Sequence, residues 1–369
     1  MKQVFEQCKI GGIALENRLM RSATWERMAD EKGHLTEPLR RLYVNLAKSG
    51  IGLISTGYTR VLEEEQPNPQ MMGIYDDSFV DEYRELVEDV HKENAKILMQ
   101  LAYGGTKTDF RVGERLIYSP DTIPGPEGVA GTPASREDIA RLVKAYADAA
   151  FRVKEAGFDA VQIHLAHHYL LNQFLSPHYN QRKDEYGGSL ENRLRIVREI
   201  YEAVRECVGR DFPVWVKITC ADFMEDGSSF EETVAMCREY ENWGINAIEV
   251  SGNIHGKAEK LCGQIVEGKE IEKKGYFYEF AKVLAKEVKI PVILTGGIRS
   301  PEDMEEMLRD SEIQGFGLCR PLLAEPELVK RWKAGDRAPA KCIHCSKCRT
   351  KDGNHCIVFN KNAFSQNKL

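Results

Sequence analysis

The chain has 369 residues, with 51 Lys and Arg against 57 Asp and Glu, a formal net charge of −6. That length holds two ordinary domains or one large α/β barrel, and the acidic balance argues against a nucleic-acid surface, which needs clustered positive charge. No apolar run reaches the roughly 18 residues of a membrane helix, and the N-terminal MKQVFEQCKIGG lacks the basic-then-apolar layout of a secretion signal; a soluble cytoplasmic protein is expected.

Short β-rich runs alternate with longer amphipathic stretches. Strands are predicted at 18–22, 51–56, 96–101, 159–164, 214–219, 247–251, 291–295 and 315–319. Several are almost wholly apolar, as parallel strands covered on both faces require. Helices are predicted at 36–49, 79–94, 135–156, 190–208, 229–243, 277–288 and 301–310. Within 190–208, Leu194, Val197, Ile200 and Val204 recur three or four residues apart and give one apolar face. This alternation predicts an α/β fold. Its form is a closed TIM (β/α)8 barrel over residues 1–335, followed by a short cysteine-containing C-terminal tail, 336–369. An open dinucleotide-binding sheet is disfavoured, because no G-x-G-x-x-G follows the first strand. Residues 1–16 are expected to cap the bottom of the barrel. Connections 102–134 and 252–275 are long and follow strands at the face where such a barrel carries its site.

His164-Leu165-Ala166-His167-His168-Tyr169 ends the fourth strand. Two imidazoles three residues apart can donate to one ligand oxygen, and a neighbouring phenol can deliver a proton. The same pair can also form two legs of a metal site. The run from Asn180 to Arg193 has Gly187-Gly188 for a turn and Ser189 for an N-cap, and reads as support for that site. Lys217 interrupts the apolar strand VWVKIT, and a buried charge needs a partner. Gly296-Gly297 and Cys319-Arg320 end strands seven and eight, where barrels of this kind frequently carry a phosphate site. Paired glycines there would let backbone N–H groups approach an anion, and Arg320 would neutralise its charge.

Ten cysteines are unevenly placed. Cys8, Cys207, Cys220, Cys237, Cys262 and Cys319 read as small buried hydrophobes. Cys342, Cys345, Cys348 and Cys356, spaced C-x2-C-x2-C-x7-C, read as ligands of zinc or of an iron–sulfur cluster. His344 or His355 can substitute for a thiolate, and a metal-free remnant is the third reading.

H-x-A-H-x-Y-L-x-x-Q-F-L-S-P from His164, followed by N-x-R-x-D-x-Y-G-G-S-x-E-N-R from Asn180, resembles the Old Yellow Enzyme family of FMN-dependent oxidoreductases. Weaker matches extend over most of residues 1–340. The resemblance implies a barrel holding FMN at its C-terminal mouth. NADH or NADPH would reduce it, and the C=C bond of an α,β-unsaturated carbonyl would accept the hydride. It implies that His164 and His167 hold the carbonyl oxygen and that Tyr169 protonates the α-carbon. Ser22, Ala23 and Thr24 would line the flavin, Ser55 would pack against it, and Gln100 would pair with its pyrimidine edge. Lys217, where many relatives carry Arg, would place positive charge near N1. Gly296, Gly297, Cys319 and Arg320 would hold the phosphate, with Cys319 standing where most relatives have Gly. Tyr103 departs from the His and Arg that commonly follow the glutamine, and is expected to line the substrate pocket. Longer relatives bind a [4Fe–4S] cluster through a similar cysteine group. Small unsaturated carbonyls and a nicotinamide dinucleotide are the expected partners, with a homo-oligomer and without nucleic acid or membrane. Two alternatives stand beside this reading. One is an amine dehydrogenase on the same barrel, in which the first histidine is replaced by Tyr. The other is a flavin-free metal-dependent hydrolase or lyase, which needs further ligands at other strand ends.

Overall fold

The computed structural model describes residues 2–252 and 258–361. Part of the second long connection, 253–257, and the last residues of the tail, 362–369, lie outside the described residues. Eight parallel strands form the central sheet: β1 (Leu19–Arg21), β2 (Leu53–Ser55), β3 (Lys96–Ala102), β4 (Ala160–Leu165), β5 (Val214–Thr219), β6 (Ala247–Ser251), β7 (Val292–Thr295) and β8 (Gly315–Leu318). Each neighbours the next in sequence, β8 pairs with β1, and β2 pairs with β3. The sheet therefore closes into the expected barrel. A two-residue strand, Thr59–Arg60, is appended to β3.

Among the described residues, the longer helices cover the barrel: α1 (Glu37–Lys48), α2 (Phe79–Lys92), α3 (Arg136–Glu155), α4 (Leu190–Val208), α5 (Phe230–Trp243), α6 (Tyr278–Glu287) and α7 (Pro301–Asp310). Five of their N-termini are capped by hydroxyls that accept from backbone N–H groups, at Thr36, Ser135, Ser189, Ser229 and Ser300, which satisfies donors the helix leaves unpaired. In α4, Leu194, Val197, Ile200 and Val204 are all buried, so the predicted stripe faces inward. No helix among the described residues is long and apolar enough to cross a membrane.

The hairpin Cys8–Ile10/Ile13–Leu15 closes the barrel's lower end. Its Ile10, Ile13 and Leu15 pack in one cluster with Met20, Leu53, Leu98, Ala160, Trp215, Ala247 and Ile293. Gly11, at φ +53°, lies so close to Trp215 that a Cβ there would stand 2.6 Å from the indole nitrogen. That nitrogen donates to the Gly11 carbonyl at 3.0 Å.

The tail returns to the opposite end. After the short helix Leu328–Lys333, which buries Trp332, Ala340 N donates to Arg299 O at 2.8 Å and Tyr276 Oη meets His344 Nδ1 at 2.6 Å. Further along, Arg27 donates to Thr350 O at 3.1 Å. Asn354 bonds through its backbone N to Glu26 O at 2.8 Å and through its amide to Trp25 O at 2.5 Å. The tail thus docks on loops that follow β1, β6 and β7.

Candidate active site

The end of β4 is shaped by two successive left-handed residues, His167 (φ +63°) and His168 (φ +55°). This conformation is uncommon outside glycine, though histidine adopts it more readily than most residues. Here the turn is fixed by neighbours. His167 N donates to Thr219 Oγ1 at 2.9 Å, His168 N to Asn172 Oδ1 at 2.7 Å, and Gln173 Nε2 to His168 O at 2.6 Å. The chain then enters the short helix Leu170–Leu175, with Tyr169 at its N-cap.

The turn brings His164, His167 and Tyr169 together. The His164 ring centroid lies 5.1 Å from that of His167 and 5.1 Å from that of Tyr169, the latter edge-on. His164 is buried and its Nδ1 has no hydrogen-bond partner, which is costly unless a ligand completes it. His167 Nε2 sits 2.9 Å from Ser251 Oγ. Burial pushes the His164 imidazolium well below its usual range, helped by the charges of His167 and Lys217. Burial and then Lys217 push His167 down to about 3. Both rings are neutral N–H donors at physiological pH. Burial raises the Tyr169 phenol to about 12, so it holds its proton. Tyr58 packs edge-on against Tyr169 at 5.4 Å and accepts from Asn68 Nδ2 at 2.8 Å.

Below these rings a polar chain crosses the barrel. Lys217 Nζ lies 2.8 Å from Glu249 Oε1 and 2.6 Å from Ser22 Oγ. Ser22 and Thr295 donate to the same carboxylate oxygen at 2.6 and 2.7 Å. Gln162 donates to Glu249 Oε2 at 2.9 Å, and Gln100 donates to Gln162 at 2.7 Å. Desolvation opposes the Glu249 charge, but Lys217 together with the hydrogen bonds from Ser22 and Thr295 outweighs it, and the carboxyl stays below its ordinary range. The partner that Lys217 requires is therefore Glu249, and the lysine does not stand as an uncompensated positive charge.

The remaining expected residues also gather near the mouth. Thr24 donates to Ser22 O at 3.0 Å and touches Cys319 Sγ at 3.0 Å, with Ala23 half-buried between Ser22 and Thr24. Ser55 is buried at the end of β2. Gly296 (φ +116°) and Gly297 (φ +78°) are left-handed. A Cβ on Gly297 would come within 2.9 Å of the backbone nitrogens of Gly275 and Tyr276, so glycine is required there. Cys319 has φ −123°, so it stays out of the left-handed region that favours glycine. Arg320 donates to Ser346 Oγ of the tail at 3.3 Å. These residues fit a flavin nucleotide: paired glycines and an arginine for a phosphate, amide and hydroxyl groups for the ring, and an unsatisfied imidazole nitrogen for what stacks on it.

One expectation needs correction. Tyr103 does not line a pocket. It is buried in the main hydrophobic core against Tyr118, with ring centroids 5.9 Å apart. The tail thiols lie close to one another. Cys342 and Cys356 pack together with Ala324, and Cys348 is raised to about 11 by burial and by its neighbours Cys356, Cys342, Cys319 and Cys345. Yet no three His, Cys, Asp or Glu side chains among the described residues are arranged to hold a metal ion. The Asn180–Arg193 run is structural, as expected. Asn180 ties Phe174 O and Tyr186 O at 2.7 Å each, and Arg193 reaches Leu175 O, Gly188 O and Glu232. Glu249, Gln162, Ser251 and Tyr58 were not anticipated. The signal for the first is a carboxylate amid the apolar residues of the strand AIEVS, one strand beyond the lysine of VWVKIT.

A closed (β/α)8 barrel with its polar groups converging at the C-terminal mouth defines the class. The family model for the NADH:flavin oxidoreductase / NADH oxidase family matches residues 3–338, and the chain belongs to that family, the Old Yellow Enzyme type of flavin oxidoreductase. It is similar to an NADPH dehydrogenase of Geobacillus sp. (strain WCH70), 35% identical over 88% of this chain and 91% of the relative. It is also similar to an NADH oxidase of Thermoanaerobacter brockii, 32% identical over 93% of this chain and 52% of the relative; the chain spans about half of that protein's length. Among solved structures, the old yellow enzyme homologue from Zymomonas mobilis shares the fold, with a TM-score of 0.78, 21% identity, and coverage of 91% of this chain and 94% of the other.

Proposed function

We propose that this chain is an FMN-dependent ene-reductase that takes reducing equivalents from NADH or NADPH and delivers them to the activated C=C bond of an α,β-unsaturated carbonyl. The observation that carries this reading is the convergence of His164, His167 and Tyr169 at the end of β4, two neutral imidazoles beside a protonated phenol. Bound FMN would supply the hydride. Ser22, Thr24, Ser55, Gln100 and Lys217 would hold its ring, and Gly296, Gly297, Cys319 and Arg320 its phosphate.

The chain's own residues account for the rest. His164 and His167 donate to the substrate carbonyl oxygen, and because both are neutral they do so without losing a proton to it. Fixed donors of this kind favour the negative charge that develops on that oxygen as the β-carbon accepts hydride. Ser251 holds the His167 ring in place. Tyr169 gives its proton to the α-carbon, and Tyr58 holds the phenol against that position. The buried surroundings exclude bulk water from the donors and strengthen each of these contacts.

The test is the double substitution His164→Ala/His167→Ala. It should abolish enone turnover, by on the order of a hundredfold or more, while the flavin spectrum is retained. Turnover that survives would remove both histidines from the chemistry. Metal ligation by the tail cysteines is a separate proposal, carries no step of the mechanism, and is decided by iron, zinc and sulfide analysis of the purified protein.

A further inference from the structure

Lys217 and Glu249 are register partners on adjacent strands, and their side chains are 3% and 0% exposed. Each group has several partners. The carboxylate receives Lys217, Ser22, Thr295 and Gln162, and the ammonium also reaches Ser22. A buried ion pair is poor value as a stabilising device, since well-packed apolar residues of similar volume do as well or better. Its position is more telling. The pair lies one strand over from His164, which is the register partner of Lys217 on the other side, and Ser22 of the β1 end bridges the two charges. Whatever occupies the mouth meets a lysine whose charge is partly offset by a carboxylate.

We propose that Glu249 is a positioning residue that acts through Lys217 to lower the electron affinity of the flavin at the mouth. This rests on the flavin reading given above and goes beyond it. Reduction adds negative charge to the ring, and a lone buried lysine would stabilise that charge strongly in so dry a setting. Glu249 removes part of this stabilisation. It leaves Lys217 able to donate a hydrogen bond while weakening the field that the lysine exerts. The reduced flavin is then a stronger donor, suited to acceptors that are hard to reduce.

The experiment uses the flavin-loaded enzyme and reads its midpoint potential and its affinity for sulfite, which adds to the oxidised ring and leaves negative charge on it. Glu249→Gln should raise the potential and tighten sulfite binding by about tenfold or more. Lys217→Gln should lower the potential and weaken sulfite by a similar factor. The double variant, with the pair's net charge restored to zero, should return close to the wild-type value. A purely structural pair would leave the potential where it was in both single variants that still bind flavin. If Glu249→Gln alone loses flavin, the comparison of the double variant with Lys217→Gln decides, and a potential that fails to rise overturns the proposal. A shift in Lys217→Gln with none in Glu249→Gln overturns the role of Glu249 and leaves the flavin reading standing. A wild-type protein that binds no flavin overturns both.

Discussion

At the lower end of the barrel, Met20, Leu53, Leu98, Ala160, Trp215, Ala247 and Ile293 meet the hairpin's Ile10, Ile13 and Leu15 in a dry cluster. At the upper end, the buried groups are Ser22, Gln100, Gln162, Lys217, Glu249 and Thr295, and nearly every polar atom is committed to another. The strands are the same; the rows of side chains differ. The lower row gains from area removed from water, about 25 cal/mol per Å², and a lost methyl costs in proportion to the hole it leaves. The upper row gains little net stability from its bonds, but removing one member exposes another to an unsatisfied burial. Stability is therefore concentrated at one end and chemistry at the other.

The sharpest way to break this contrast is Trp215→Ala. It opens a cavity in the lower cluster and should cost about 3–5 kcal/mol, read by urea unfolding, with the flavin spectrum of the folded fraction unaltered. Loss of flavin binding in the folded fraction would mean the two ends are not separable. Next in size is the response to acid. His164 and His167 are held neutral in the folded chain, while in the unfolded chain each takes a proton near the ordinary value of 6.5. Protons thus favour the unfolded state. Stability attributable to these residues is intact above pH 6.5 and is lost as pH falls towards about 3, the folded value for His167. Denaturation midpoints across that window should fall more steeply for the wild type than for His164→Ala/His167→Ala; parallel slopes would count against neutral burial.

A smaller effect is expected at the tail. Asn354→Ala removes the hydrogen bonds that its amide donates to Trp25 O and accepts from Thr350 N and should cost about 1–2 kcal/mol, seen as faster proteolysis within the tail while the barrel core stays resistant. The smallest is Ser251→Ala, which frees the His167 ring. Unfolding should change by about 0.5–1.5 kcal/mol at most, whereas KM for the enone should rise as the donor loses its orientation. An unchanged KM would show that the Ser251 contact is incidental.

Much of this architecture was legible in the sequence. Strands such as PVILT and VWVKIT are almost wholly apolar, and α4 repeats its apolar residues at helical spacing; both patterns follow directly from burial on a barrel. The histidines and Tyr169 were legible because they are contiguous and end a strand. Glu249 was hidden because its significance is long-range: its partners Ser22 and Gln162 lie 227 and 87 residues away in the chain, and only barrel closure joins them. Tyr103 misled for the opposite reason. Adjacency to Gln100 suggested the mouth, but the alternation along β3 and the returning Tyr118 turn it into the core. The tail's course over the loops after β1, β6 and β7 is also a tertiary fact, resting on scattered backbone bonds that no local spacing encodes.

The row Gln100–Gln162–Glu249 has a direction. An ionised carboxylate can only accept, so Gln162 must present its NH2 to Glu249 and its carbonyl to Gln100. Gln100 must in turn spend an N–H on that carbonyl. Primary amides are ordinarily free to swap their two ends, but here one acidic group fixes the sense of both. The carbonyl oxygen of Gln100 is the end of the amide not spent on this row, and a molecule meeting it is obliged to bring a hydrogen. Neutralising position 249 would release that polarity two side chains away.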